Sequence, residues 1–498
     1  MPTSFLSCAP VLSHHPDSAS TPSCQASGGI PLGPWLRAWR WLAPLALLFG
    51  LGSRGLNEPD EGRYAQMALE MLQTGDWLIP HLNGFAHMQK PPMICWLNAL
   101  SMMCFGANEW AVRLPTALAA LGVIWMTFFS AKRILGERRA HLAAHGLLAS
   151  FGLFILARLL TPDMVMTFWI TSAIAAFLHG RSWWFFTCMG LGFLTKGPMA
   201  LVVPMSAALG WRLAGGNPGN TPWVRGLLWT LALSLSWFAV VCLRDPVLLD
   251  YYLNDELLKR FASREHGRQK PWWFFLPILL VATLPYTLRL RAATRAAWEA
   301  WKNGPRARQG LLLGWTLPPL IVLSFSGSKL PTYALPILPG LIIALSLHGR
   351  GALATLKLAR GALIFWISAV AVAAIPKIND WTGAQASVKP LCQQLKPLLV
   401  SQPGELLMIG ARTHGVEFYL GRNVHVVEAE ADRMLPPSPE AATRLHKNLK
   451  AFLSKLAGKR IYIITKESYF ERHLKPLNWR PLGRSGSYLL VSNPQPAS

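Results

Sequence analysis

Between Asn57 and Asn98 one stretch, NEPDEGRYAQMALEMLQTGDWLIPHLNGFAHMQKPPMICWLN, gathers Asp60, Glu61, Arg63, Asp76, His81, His87 and Lys90. A carboxylate within hydrogen-bond reach of a hydroxyl can take its proton. Arg and Lys can stabilise the charge of a departing phosphate without a nucleotide or its metal. Further along stand Asp163 after Pro162, Lys196 in Thr-Lys-Gly-Pro, Glu256, His266, Lys329, and Tyr333 in KLPTY. Each has an ordinary explanation too. Asp60, Glu61 and Asp163 could cap helix N-termini, Lys196 could snorkel to an interface, and Tyr333, Trp272 and Trp273 could belong to an aromatic belt.

What positions these residues is a greasy chain. Of 498 residues 52% are apolar and only 14% charged, against about 25% charged in a soluble domain. The apolar residues fall in blocks long enough for a hydrocarbon core. Eleven spans are expected, near 39–53, 111–131, 139–158, 164–179, 182–196, 197–213, 225–243, 272–291, 308–325, 332–347 and 358–375, within a range of about 11–13. The fold class is therefore an α-helical polytopic membrane protein.

Basic residues in the short loops set the orientation. With the N-terminus inside, Arg37, Arg40, Lys132, Arg133, Arg138, Arg139, Arg181, Arg212, Arg225, Arg289, Arg291, Arg295, Lys302, Arg306, Arg308, Arg350, Lys357 and Arg360 all fall on one face. The net charge of +24 is then mainly a topology signal, and nucleic acid is set aside as a partner. By the same parity Asp60, Asp163, Lys196, Glu256, His266, Lys329 and Tyr333 meet at the opposite, outer face. A transporter would keep such groups near the midplane on repeated, broken helices, and the sequence contains no internal repeat.

The loop itself has a readable shape. Ala65, Met67, Ala68, Met71 and Leu72 have helical spacing, which predicts an amphipathic helix on the membrane surface with Asp60 and Glu61 at its N-terminus. Gly75-Asp76, Asn83-Gly84 and Pro91-Pro92 turn the chain back, with Lys90 near the inner end. A carboxylate pair with Arg and Lys beside a bilayer suits a phosphate-bearing lipid and a hydroxyl or phosphate acceptor.

The ends differ in character. Residues 1–38 read as a disordered cytoplasmic tail, 39–376 as the transmembrane domain with its first outer loop at 54–110, and 377–498 as a small outer α/β domain. In that domain strands are expected at 406–409, 424–427, 461–465 and 487–491, with a helix near 439–457. His414 and Glu417 there could form a site, although an exposed helix start is more often solvated surface. The seven cysteines show neither CxxC nor metal spacing.

The segments DEGRYAQMALEMLQTGDWLIPHLNGFAHMQKPPMICWLNA and GANEWAVRLPTALAA resemble the first periplasmic loop of the aminoarabinose transferase and protein mannosyltransferase superfamily, integral-membrane glycosyltransferases of the GT-C type. ARLLTPDMVMTF, GLGFLTKGPMALVVP, YYLNDELLKRFASREHGRQKPWWFFLP and SGSKLPTYALPILP continue the resemblance in family order from about residue 55 to 340. It implies catalytic carboxylates at Asp60 and Asp163. It also implies a binding site for the donor phosphate and substrate from Arg63, Lys90, Lys196, His266 and Tyr333. Two positions depart from the pattern: Gln66 and Gln89 stand where the family commonly has Glu. The second Glu is a metal ligand in the aminoarabinose branch, and an amide is a poorer ligand for a divalent cation than a carboxylate. The resemblance thus leaves a divalent cation open as cofactor, with His87 and His266 as compensating ligands.

The implied activity is inverting transfer of a sugar from polyprenyl (undecaprenyl) phosphate to a cell-envelope acceptor at the periplasmic face of a bacterial inner membrane. The nearest branch moves 4-amino-4-deoxy-L-arabinose to lipid A. The other readings are a protein hydroxyl or another envelope glycan as acceptor, and a non-enzymatic polyprenyl-lipid carrier or flippase.

Overall fold

The computed structural model describes residues 34–217, 219–252, 270–289, 298–299, 301–347, 352–373, 387–409, 413–427 and 439–494. Of the expected tail only 34–38 is among them, where Pro34–Arg37 forms a helical turn. Glu256 and His266 lie outside the described residues.

Helices occupy every expected span. They are α1 (Trp39–Leu48), α4 (Glu109–Leu135), α5 (Glu137–Ala149) with α6 (Phe151–Leu156), α7 (Pro162–Leu178), α8 (Ser182–Lys196), α9 (Met199–Leu213), α10 (Trp223–Arg244), α11 (Phe275–Ala282), α12 (Arg306–Phe325), α13 (Leu338–Leu345) and α14 (Ala352–Ala373). Among the described residues α4 and α10 are each long and apolar enough to cross a membrane unaided. The 139–158 span is broken between α5 and α6, where Ser150 is extended and its hydroxyl turns back to the Leu147 carbonyl. α13 is entered through a 3-10 segment, Pro331–Ile337.

Close helix packing follows from small residues. A Cβ on Gly210 would stand 2.1 Å from the Gly310 carbonyl, and one on Gly314 2.1 Å from that of Ser206. The Gly-Leu-Leu-Leu-Gly run of α12 therefore lies directly against α9, backbone on backbone. At one end of the bundle Lys132 approaches Glu137 (3.5 Å) and Arg133 donates to the Leu178 carbonyl (3.3 Å). The start of α7 and the end of α8 share the other end.

The first loop folds into α2 (Asp60–Thr74), a hairpin of β1 (His81–Leu82) and β2 (Phe85–Ala86), and α3 (Met93–Phe105). Asn83 and Gly84 both have positive φ, 55° and 83°, the Asn-Gly turn that matches strand twist. α2 does not lie on the membrane as its spacing alone predicted. Tyr64, Ala65, Met67, Ala68 and Met71 are buried in the main core, because α3 and the C-terminal domain cover the apolar face that lipid would otherwise have taken.

That domain packs α15 (Lys389–Ser401), α16 (Gly415–Leu420) and α17 (Leu449–Lys455) on a six-stranded sheet. The strands are β3 (Glu405–Ile409), β4 (His425–Val427), β5 (Leu445–His446), β6 (Ile461–Lys466), β7 (Arg480–Ser485) and β8 (Tyr488–Ser492), in the order β5-β4-β3-β6-β8-β7. β5, β4, β3 and β6 run parallel, while β8 pairs antiparallel with both β6 and β7. Both faces are buried, Leu406, Met408 and Ile464 on one and Leu407, Ile409 and Ile463 on the other, so the strands read as continuous apolar runs. The helix expected near 439–457 is interrupted: Leu445 and His446 pair with Val426 and Val427 as an edge strand. β7 was not expected, since it is mostly exposed, carries Pro481 and is bulged between Pro481 and Gly483.

Candidate functional site

The site begins with a buried knot that is not itself reactive. Glu61, 2% exposed, accepts from Arg113 Nε (2.9 Å) and Nη2 (3.0 Å), and from Arg54 Nη1 (2.6 Å) and Nη2 (3.0 Å). The backbone N–H groups of Asn57 and Leu160 also donate to it, at 2.9 Å each. Burial works against the charge of Glu61, but Arg113 and Arg54 outweigh it and hold the carboxyl at about 2. Arg113 further binds the carbonyls of Leu51, Arg54 and Gly55. One carboxylate thereby fixes the loop to α4 and to the residue just before Thr161-Pro162-Asp163.

The two candidate carboxylates stand on either side of this knot. Asp60 opens α2 with its side chain 62% exposed and ion-paired to Arg63. Asp163, 3% exposed, opens α7 and is ion-paired with Lys196 at the end of α8. The Lys196 ammonium also lies 4.5 Å from the centre of the Tyr333 ring, over its negative face. Asp163, Lys196 and Tyr333, drawn from three distant segments, form one contact group.

Tyr64 joins that group to the loop. Lys90 Nζ donates to the Tyr64 hydroxyl at 2.9 Å. Burial pushes the Tyr64 phenol up to about 12, with Arg63 and Lys196 pulling down and Asp60 and Asp163 pulling up. Burial also weakens the hold of Lys90 on its proton, as does Arg63, while Asp163, Tyr333 and Asp60 strengthen it. His87 is driven down to about 3, by burial first and then by Arg63 and Lys90. Three cations, Arg63, Lys90 and Lys196, thus face two carboxylates, and the neighbouring imidazole is held neutral. This local field favours an anion.

It does not favour a metal ion. Among the described residues no three His, Cys, Asp or Glu side chains converge. His87 sits in the field of two cations, and both candidate carboxylates are already engaged by basic side chains. The amide at Gln89 adds no charge, so no chemical step is assigned to a cation here.

A third cluster joins the C-terminal domain to the loop. Glu70 accepts from the backbone of Asn83 (2.6 Å) and Gly84 (2.8 Å), and Glu417 from Asn83 Nδ2 (2.8 Å), the Val424 N–H (2.8 Å) and Arg444 (3.0 Å). Gln66 donates to both, at 2.7 Å to Glu70 and 3.1 Å to Glu417. A glutamate at this position would add a third carboxylate to the pair. His414 Nδ1 lies 2.8 Å from Asn83 Oδ1. His414 and Glu417 are therefore buried joint residues, contrary to the solvated surface their position suggested. Glu58 completes the joint: it accepts from the Gly415 N–H at 2.7 Å, and burial raises it to about 8 despite the bonds from Gly415 and His414. Cβ atoms on Gly62 or Gly415 would come within 2.5 Å or 2.4 Å of its oxygens, so both glycines make room for it.

Sequence reasoning brought forward Asp60, Arg63, Lys90, Asp163, Lys196 and Tyr333, and the structure places all six at one end of the bundle. It passed over Tyr64 and Arg113, although both stand inside segments that carry the family resemblance. Lys329 was grouped with the site, but its ammonium binds the Ser326 carbonyl at 2.7 Å.

The profile of dolichyl-phosphate-mannose-protein mannosyltransferases matches residues 89–243. The chain is 31% identical over 395 residues to the undecaprenyl phosphate-α-4-amino-4-deoxy-L-arabinose arabinosyl transferase of Pseudomonas aeruginosa, covering 73% of this chain and 67% of the relative. The chain belongs to the aminoarabinose transferase family. To the Edwardsiella ictaluri member it is 32% identical over 336 residues, 62% of this chain and 59% of the relative. The chain thus spans a little over half the length of several curated relatives it matches. Its fold is similar to that of ArnT from Cupriavidus metallidurans bound to undecaprenyl phosphate, with a TM-score of 0.76 over 94% of this chain and 100% of that one, at 21% identity. It is the fold of a polytopic membrane glycosyltransferase of the GT-C type.

Proposed function

We propose that this aminoarabinose transferase family member moves a sugar from a polyprenyl phosphate to an envelope glycolipid at the periplasmic face of the membrane. The names of its relatives give 4-amino-4-deoxy-L-arabinose as the sugar and undecaprenyl phosphate as its carrier; lipid A is the acceptor assigned in this reading. The observation that carries the reading is the convergence of Arg63, Lys90 and Lys196 around Tyr64, beside Asp60 and Asp163.

In the proposed reaction the acceptor oxygen attacks C1 of the sugar as the bond from C1 to the phosphate oxygen breaks, inverting the anomeric carbon. The electron pair leaves with the polyprenyl phosphate, whose charge Lys90, Lys196 and Arg63 stabilise. Asp163 acts by holding the Lys196 ammonium in place, with Tyr333 beneath it. Asp60, exposed at the N-terminus of α2, receives the proton of a hydroxyl acceptor in this reading. A phosphate acceptor, already anionic, would need positioning only. The polyprenyl tail would remain among the apolar helices while its head reaches the loop.

The test is mass spectrometry of lipid A and whole envelope glycolipids from cells with the intact gene, without it, and with Asp60→Asn. Loss of one sugar mass from lipid A in both altered strains is expected. Loss from a different glycan or from a protein would move the acceptor and keep the donor chemistry. Unchanged envelope components with the protein inserted would overturn the reading and favour a lipid carrier.

A further inference from the structure

A second region of the bundle has features of a ligand site, at the end of α7 remote from Asp163. Between α4, α7 and α8 lies a groove of about 410 Å³, lined by Phe129, Phe168, Trp169 and Ser172 and reaching His179 and Arg181. Toward Asp163 α4 and α7 approach closely, since a Cβ on Gly122 would stand 2.4 Å from the Phe168 ring. The walls are apolar, yet two polar atoms within them have no partner. Ser172 is nine-tenths buried with an unbonded Oγ, and the buried Trp169 Nε1 is equally unbonded. Ser172 is not bonded to its own helix, although the hydroxyls of Thr167 and Thr171 on the same helix both bind the carbonyl four residues back.

The unpaired atoms define what is missing. An indole N–H can only donate and a hydroxyl can donate, and a buried donor without an acceptor costs about 1–3 kcal/mol. The natural complement is a pair of acceptors carrying no donors of their own. Ser172 lies about 10 Å along the helix from His179, seven residues at the α-helical rise. At the mouth, Arg181 is exposed and Arg133 donates to the Leu178 carbonyl nearby. His179 Nδ1 donates to the Ala175 carbonyl (2.8 Å), which leaves Nε2 as the remaining polar atom of the ring. The groove therefore presents a cation at its mouth and two hydrogen-bond donors set in walls that are otherwise apolar, with the Phe129 ring 6.5 Å from that of His179. Those groups are the complements of a phosphate, ester carbonyls and an acyl chain.

We propose that this groove binds an anionic glycerophospholipid from the leaflet opposite the Asp163–Lys196 end. The phosphate lies at Arg181, an ester carbonyl accepts from Ser172 or Trp169, and an acyl chain lies along Phe129 and Phe168. This is a structural lipid site separate from the donor site, and it does not depend on the sugar-transfer reading.

The test is native mass spectrometry of the full chain, delipidated in detergent and titrated with phosphatidylglycerol, phosphatidylcholine of the same acyl chains, or undecaprenyl phosphate. Phosphatidylglycerol should be retained over phosphatidylcholine. Arg181→Ala should weaken it by about fivefold, the equivalent of an exposed ion pair of about 1 kcal/mol. Removing the donors with Ser172→Ala and Trp169→Phe should weaken both phospholipids together, and filling the groove with Ala176→Trp should abolish the adduct. If Ala176→Trp fails to fold, the Arg181 and donor variants still decide. Equal retention of both phospholipids with no effect of Arg181→Ala would overturn the proposal, as would undecaprenyl phosphate displacing phosphatidylglycerol from the groove.

Discussion

The ammonium of Lys196 is shared between the carboxylate of Asp163 and the face of Tyr333. The end of one helix, the beginning of another and a 3-10 segment thereby converge on a single charge. In the proposed reaction that charge meets the departing phosphate. Lys196→Ala should lower transfer by about a hundredfold or more, the usual loss when one donor to a developing anion is removed. Lys196→Arg should recover part of it. Asp163→Asn should lower kcat with little change in donor KM if Asp163 only aims the ammonium. Steady-state kinetics on purified protein with a polyprenyl phosphate sugar would separate these.

Asp60 and Glu61 are neighbours in sequence and opposites in environment. Asp60→Asn removes one partner of an exposed pair and should cost less than about 1 kcal/mol of stability while abolishing transfer. Glu61→Gln leaves Arg113 and Arg54 facing a neutral group in a buried knot, where breaking such a pair costs about 3–5 kcal/mol. The expected result is an Asp60 variant that melts like the parent and a Glu61 variant that accumulates poorly. Thermal unfolding midpoints in detergent, read beside activity, would test both.

This contrast shows what was legible in the sequence. Asp60, Asp163 and Lys196 could be placed at one face because loop parity and the family segments both locate helix ends, and the ends of these helices do meet. The Asn83-Gly84 hairpin was equally open to reading, since only a few residue types tolerate positive φ at both turn positions. What could not be read was which acid of a pair turns inward, because that depends on Arg113 and Leu160, far away in the chain. Nor could the burial of His414 and Glu417 be seen, since it follows from docking of two separate units. An exposed edge strand with a proline, β7, has no alternating pattern to detect.

Tyr64 was one of the residues passed over, and its hydroxyl is the described hydrogen-bond partner of Lys90. Tyr64→Phe keeps the buried ring and removes only that bond, a change of about 1 kcal/mol in stability. If Tyr64 positions Lys90 for the donor phosphate, transfer should fall about tenfold, with the loss in kcat. A purely structural role would lower the melting point and leave the rate per folded molecule unchanged.

The joint between the first loop and the C-terminal domain should respond to pH. In the fold, burial raises Glu58 from 4.5 to about 8, and burial with the charge of Glu417 raises Glu70 from 4.5 to about 7. Both carboxyls stay protonated in the native joint over a range where the unfolded chain has already ionised. The unfolded state then binds fewer protons, so stability falls as pH rises. The contribution is fully present below about pH 4.5, declines between 4.5 and about 8, and is constant above. Glu61 acts in the opposite sense, its stabilisation present above 4.5 and lost only as pH falls toward about 2. Unfolding midpoints measured from pH 5 to 8.5 should therefore decline. Glu70→Gln, which cannot ionise, should flatten the slope, and adding Glu58→Gln should flatten it further. A slope unchanged in the double variant would place the pH dependence elsewhere and remove these two carboxyls from the account. Limited proteolysis would also show whether the C-terminal domain loosens first, because at alkaline pH the charges of Glu58, Glu70 and Glu417 are all confined to the one surface where it meets the loop.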